Sequence, residues 1–137
     1  MVAPNHMIKQ VIINVLPPKA MRYRTNGDWR FPSPGVLLIE IADSGNWIFN
    51  MMVAVHEFTE VVLCTACGVT QKQVDRFDFA HQDDDDPAEH PKAPYHFQHM
   101  VAMSVEMMLA TFLRVKWRPY SDALTKTWMK TPRRTSA

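Results

Sequence analysis

Between Val53 and Leu63 the chain reads VAVHEFTEVVL, an aliphatic run interrupted by His56, Glu57 and Glu60. A stretch this apolar belongs in a core, and an ionised carboxylate among buried aliphatic side chains is costly unless something neutralises it. A His and a Glu four residues apart leave a helix from the same face, and a metal ion satisfies both at once. Whatever fold the chain adopts must therefore bury this segment and bring a cation or further polar groups to its one polar spot.

The signals on either side set the helix ends. Asp43-Ser44-Gly45-Asn46 supplies N-cap residues and Gly68 stands where a left-handed C-cap is favoured, so a long helix is expected from Trp47 to about Cys67. Upstream, Met7 to Leu16 is rich in Val and Ile and closes at Pro17-Pro18, which predicts a strand. A second extended piece covers Met21 to Trp29 around a turn signal at Asn26-Gly27, and Val36 to Ala42 has the β-branched density of a third strand. The intervals are too short for helical crossovers, so a small, mainly antiparallel sheet is expected.

Downstream, Thr70 is the expected N-cap of a short helix reaching about Phe79. His81 to Pro94, with its prolines and the acid run Asp83 to Asp86, reads as a long loop. A second long helix is expected from Tyr95 to Val115 and a shorter one from Ser121 to Met129. The fold class is thus α+β, a sheet packed against two long helices plus short ones, in a single domain over residues 1–130 with a flexible basic tail over 131–137.

Composition removes several function classes. With 47% apolar and 21% charged residues the chain belongs with folded globular proteins. A formal net charge of +1 gives no overall pull toward nucleic acid or an anionic membrane. The basic residues near the C-terminus, interleaved with Trp117, Tyr120 and Trp128, read as solubilising rather than as a nucleic-acid surface. The run from Trp47 to Leu63 is broken by Asn50, His56, Glu57 and Glu60, which argues against a membrane span. No secretion-type leader is visible, so cytoplasmic residence is the expectation. Cys64 and Cys67 make a C-x-x-C near a helix C-terminus, a poor place for a reactive thiol, and are read as core thiols; a zinc site would need two further ligands, of which His81 and His90 are the nearest.

The chemistry concentrates in H-E-F-T-E at 56–60. The zinc-peptidase signature places two His at i and i+4 with a Glu after the first; here Glu60 takes the place of the second His. Two His plus one carboxylate is an accepted catalytic ligand set with a position left for water, and the oxygen donor also admits magnesium or manganese. The second long helix offers His96, His99 and Glu106, of which His99 and Glu106 are seven residues apart and face the same way. His99 is the expected third ligand. Glu106 is either a ligand or the hydrogen-bond partner of a liganding imidazole. Glu57 is the expected general base, taking a proton from water at the metal and returning it to the leaving group. His96 and Asn50 are candidates for contacts with substrate or with a ligand. Asp75 and Asp78 are minor candidates for further oxygen donors. The competing expectation is a purely internal network in which His56, Glu60 and His99 satisfy one another.

The H-E-x-x-E helix, with P-Y-H-x-x-H at Pro94 to His99 and Glu106 beyond, resembles a group of small uncharacterised proteins encoded by phages and prophages, over most of the chain. That resemblance implies a phage or bacterial host cytoplasm. The same helix resembles the active-site helix of zincin-like metallopeptidases, which implies His56 and Glu60 as ligands and Glu57 as base. The expected function is metal-dependent hydrolysis of a peptide or amide bond, with zinc as the cofactor. Two alternatives stand beside it: a magnesium-dependent nucleotide phosphohydrolase built on Glu57, Glu60 and Glu106, and a non-enzymatic accessory protein that binds a host protein. The Met-rich pieces at Met51-Met52 and Met100 to Met108 are expected to fill the core or to form an apolar pocket or homodimer face.

Overall fold

The computed structural model describes residues 8–134. Three strands, β1 (Gln10–Leu16), β2 (Gly27–Ser33) and β3 (Val36–Ala42), form one sheet in the order β1-β3-β2. Four helices follow: α1 (Trp47–Cys67), α2 (Gln71–Ala80), α3 (His96–Phe112) and α4 (Trp117–Trp128). The class is α+β, with the sheet packed against the long helix α1 and the second long helix α3 packed in turn against α1.

The sheet is mixed. β2 and β3 pair antiparallel, joined through Pro34-Gly35, where Gly35 supplies the positive φ of 77° that the tight connection needs. β1, however, pairs with β3 in parallel, from Gln10 opposite Val36 to Leu16 opposite Ala42. Short intervals excluded a helical crossover but not this route, in which the connection holds a short 3-10 turn and β2 itself. Asn26-Gly27 is accordingly the entry to β2 and not a hairpin tip. The predicted start of β1 at Met7 falls outside the described residues.

β3 is the central strand, and its alternation decides which face is covered. Leu37, Ile39 and Ile41 are fully buried against α1, where Met52, Val53 and Val61 meet them. Burial of each such side chain contributes about 1.5–3 kcal/mol relative to exposure. α1 lies over β2 and β3, while β1 extends past the helical layer, and Val11, Ile13 and Val15 keep about two-fifths of their surface in solvent.

α1 begins where Asn46 accepts hydrogen bonds from the amides of Ile48 and Phe49, and it ends at Gly68 with φ 78°. It is long and apolar enough to cross a membrane by length and composition, yet its polar face is turned into the fold against α3. Thr70 caps α2 in a reciprocal box with Gln73. α2 is held to the sheet by Arg22, whose guanidinium forks to Asp28 on β2 at 2.9 Å and to Asp75 on α2 at 2.8 Å. α4 starts four residues before the expected Ser121, because Pro119 sits in the first turn, where a missing N–H costs nothing. The segment after it is not free over its described part: Thr131 is buried, Arg133 pairs with Asp83 at 3.0 Å, and the Arg134 amide donates to Gln82 at 2.8 Å.

Candidate metal centre

Helices α1 and α3 pack side by side and bring His56, Glu60 and His99 to one buried point, each 7% exposed or less. The three facing atoms are evenly spaced. His56 Nε2 lies 3.1 Å from His99 Nδ1 and 3.3 Å from Glu60 Oε2, and His99 Nδ1 lies 3.2 Å from the same oxygen.

The other atom of each group is turned outward and held. His56 Nδ1 lies 2.7 Å from Glu106 Oε1, so its N–H donates to that carboxylate and Nε2 faces the cluster. Tyr120 donates its hydroxyl to Glu106 Oε2. The Trp29 indole N–H donates to Glu60 Oε1 at 3.2 Å. His99 Nε2 has Asp86 Oδ1 at 3.3 Å, within ion-pair distance but outside hydrogen-bond geometry, and it is a buried nitrogen without a hydrogen bond. A carboxylate therefore stands behind each imidazole, the arrangement that fixes ring tautomer and orientation at metal-ligating histidines.

Three groups with lone pairs directed at one another repel unless positive charge sits between them, supplied either by protons on the imidazoles or by a cation. The titration behaviour reflects that demand. Burial alone would lower both histidines, but Glu106 and Glu60 outweigh it and raise His56 well above its usual value. Burial likewise opposes a rise at His99, where Asp86 and Glu60 prevail and carry it to about 9. Burial would raise Glu60, but its bonds to His56 and His99 hold the carboxyl below the usual range. Without an ion, the positive charge beside Glu60 is thus supplied by protons on the imidazoles, which a bound cation would displace.

Glu57 points elsewhere, into a cleft of about 520 Å³ that also takes in the cluster. Its carboxylate has no hydrogen-bond partner among the described residues, and burial next to the Glu60 charge pushes its pKa well up. It passes over Gly27 so closely that a Cβ there would lie 2.6 Å from Glu57 Cγ and Oε1. Asp78 lines the same cleft, where burial pushes its carboxyl up to about 7 although Tyr95 and Tyr23 both donate hydroxyls to it.

Of the residues singled out in the sequence, His56, Glu60 and His99 are brought together, and Glu57 stands beside them. Glu106 is adjacent but on the far side of the His56 ring, in the second of the two roles open to it. His96 is turned away, its Nδ1 2.9 Å from the Ala88 carbonyl, where it ties the acid loop to α3. Asn50 closes the loop before α1, donating to Asp43 at 3.0 Å and accepting from Ser44 at 2.7 Å. Asp75 is taken up by Arg22 and Asp78 by the two tyrosines. Cys64 is buried and Cys67 exposed; among the described residues the only cluster with metal-ligand spacing is His56, Glu60 and His99. The roles of Trp29, Tyr120, Asp86 and Gly27 in the site were not foreseen, although the Asn26-Gly27 turn signal, the acid run and the C-terminal aromatics marked Gly27, Asp86 and Tyr120 for other reasons.

Compared with family models, curated proteins and solved structures, the chain matches none. The phage-encoded group has no support from these comparisons. What stands is a small α+β fold with a His/His/Glu cluster, centred on a helix, that can coordinate a divalent metal ion.

Proposed function

We propose that this chain is a metal-dependent hydrolase that cleaves a peptide or amide bond. The observation that carries the reading is the spacing of the three ligand atoms. A tetrahedral ion with bonds of about 2.0–2.1 Å has its ligand atoms about 3.3–3.4 Å apart, and the three distances here are 3.1, 3.2 and 3.3 Å. His56, His99 and Glu60 would hold the ion. The two nitrogens and one carboxylate favour zinc, with manganese or magnesium as alternatives. A bound ion supplies Lewis acidity. Glu57 supplies the base: unpaired, with a raised pKa and facing the same cleft, it takes a proton from water and returns it to the departing amine. Glu106, with Tyr120 behind it, keeps His56 in the tautomer that presents Nε2.

The nucleotide phosphohydrolase reading loses ground on two counts. Glu106 is engaged by His56 and Tyr120, so Glu57, Glu60 and Glu106 do not converge as an oxygen-rich cage. The cleft wall also carries acids and, among the described residues, no lysine or arginine to receive a phosphate.

The experiment is metal analysis of protein purified without added metal, followed by assay on a peptide mixture. The expected result is about one zinc per chain, lost in His56→Ala. In Glu57→Gln the zinc stays and cleavage is lost. Failure to bind zinc, manganese or magnesium would overturn the reading. A non-enzymatic protein that binds a host partner is the second reading. It is favoured by the exposed apolar side chains Trp47, Phe97, Met108 and Phe112 on the outer faces of α1 and α3, and by full function in Glu57→Gln if that is what is found.

A further inference from the structure

We propose that the cleft selects substrates carrying positive charge next to the bond to be cut, a lysine or arginine side chain of a peptide; this rests on the hydrolase reading above. Eight carboxylate residues line the cleft, and among the described residues no lysine or arginine does. Five of the eight are spoken for. Glu60 and Glu106 engage the histidines, and Asp28 is offset by Arg22 at 2.9 Å and Arg30 at 3.7 Å. Asp78 is held by two tyrosine hydroxyls, and Glu57 is the base.

The remaining three, Asp85, Asp86 and Glu89, come from the acid loop and the 3-10 turn at Pro87–Glu89. They line the cleft beside the metal cluster; Asp86 faces His99 Nε2 at 3.3 Å, and Asp85 and Glu89 have no basic partner among the described residues. Asp86 and Glu89 are close enough that the charge of the first raises the pKa of the second. A wall of like charges held together in a fold is unfavourable until a cation reaches it. His99 Nε2, a buried nitrogen with no hydrogen bond, faces this wall from the cluster side, 3.3 Å from Asp86, and leaves the charges of Asp85 and Glu89 for a ligand to meet.

The same cleft is lined by α4, which offers Trp117, Tyr120 and Trp128. Trp128 already lies under the Arg24 guanidinium at 5.0 Å, so this helix accepts a guanidinium on an aromatic face. Acids and indole rings lining one cleft suit a cationic side chain with an apolar stem, and the acids repel an acidic one. The acid loop is then the selective element of the cleft.

The test uses the zinc-loaded full chain on a mixture of peptides, with cleavage sites read by mass spectrometry. Binding of a fluorescent lysine- and arginine-rich peptide and of a glutamate-rich peptide of equal length is measured in parallel. Cleavage next to lysine or arginine is expected, together with tighter binding of the basic peptide that weakens with salt. Each of Asp85→Asn and Glu89→Gln should lower kcat/KM on basic peptides by roughly two- to fivefold, and Glu89→Lys should shift preference toward neutral or acidic ones. Cleavage without charge preference, or equal binding of the two peptides, overturns this inference while leaving the hydrolase reading intact. Selective binding of the basic peptide without any cleavage does the reverse.

Discussion

At the residue scale the cluster depends on groups that never face the proposed ion. Tyr120 satisfies Glu106 Oε2, and Glu106 in turn orients His56. Tyr120→Phe leaves a buried carboxylate oxygen without its donor, which should cost about 1–3 kcal/mol in urea unfolding. It should also weaken zinc binding by about 10- to 100-fold in a chelator competition. Asp78 gives a pH signature of its own. Its folded carboxyl holds a proton up to about 7, above the ordinary 3.8, so between those values the folded state binds more protons than the unfolded one. Stability from this group is therefore greatest below about pH 4, falls as pH rises to about 7, and is level above. The fall is at most roughly 4 kcal/mol. Asp78→Asn should remove that slope from urea midpoints measured across the range in metal-free buffer. The primary groups were legible in the sequence because His56, Glu57 and Glu60 are neighbours on one apolar helix. Trp29 was not, since it reaches Glu60 from 31 residues away and a tryptophan in a strand carries no local mark of its partner.

At the scale of elements, the ends of α1 and the start of α2 were read well because caps are local chemistry, whereas the start of α4, which has no side-chain cap, was not. Asn46, Gly68, Thr70 and Gln73 make their bonds within a few residues of themselves. Gly68→Ala should cost about 1 kcal/mol in thermal or urea unfolding, because a Cβ is strained at φ 78°. Strand partners were harder. A register depends on the whole chain, and the parallel seating of β1 on β3 follows from β2 folding back first, which no window of sequence displays. β2 also has a task that its composition does not announce. Its first residue, Gly27, leaves the space that Glu57 occupies, and Gly27→Ala tests this. Because the clash falls on a flexible side chain, stability and zinc content should hardly change. Peptide cleavage should fall, by up to about 100-fold, as the carboxylate is displaced. Loss of zinc along with activity would mean instead that β2 had shifted as a whole.

For the whole molecule, the centre ties three layers together: β2 through Trp29, α1 through His56 and Glu60, and α3 through His99 and Glu106. An ion bound there should therefore stabilise the fold globally. At zinc concentrations 100 times its Kd the gain is about 2.7 kcal/mol, seen as a rise in Tm that a chelator reverses, with no rise in His56→Ala. The α+β class and the single long metal helix were accessible from sequence because burial and periodicity report on both. The acid run was read as a solvated loop since its charge is visible and its position is not. Only the docking of α3 beside α1 swings Asp86 toward His99.

β1 has a bearing on how the chain behaves in company. It is one of the sheet's two edges, it carries branched aliphatics on both sides, and α1 does not cover it. One side of its backbone thus keeps a row of amide donors and acceptors that no other strand engages among the described residues. Such a border is a template on which another extended chain can be laid, and crowded solutions would promote lateral stacking of molecules by this route well before any of them unfolds.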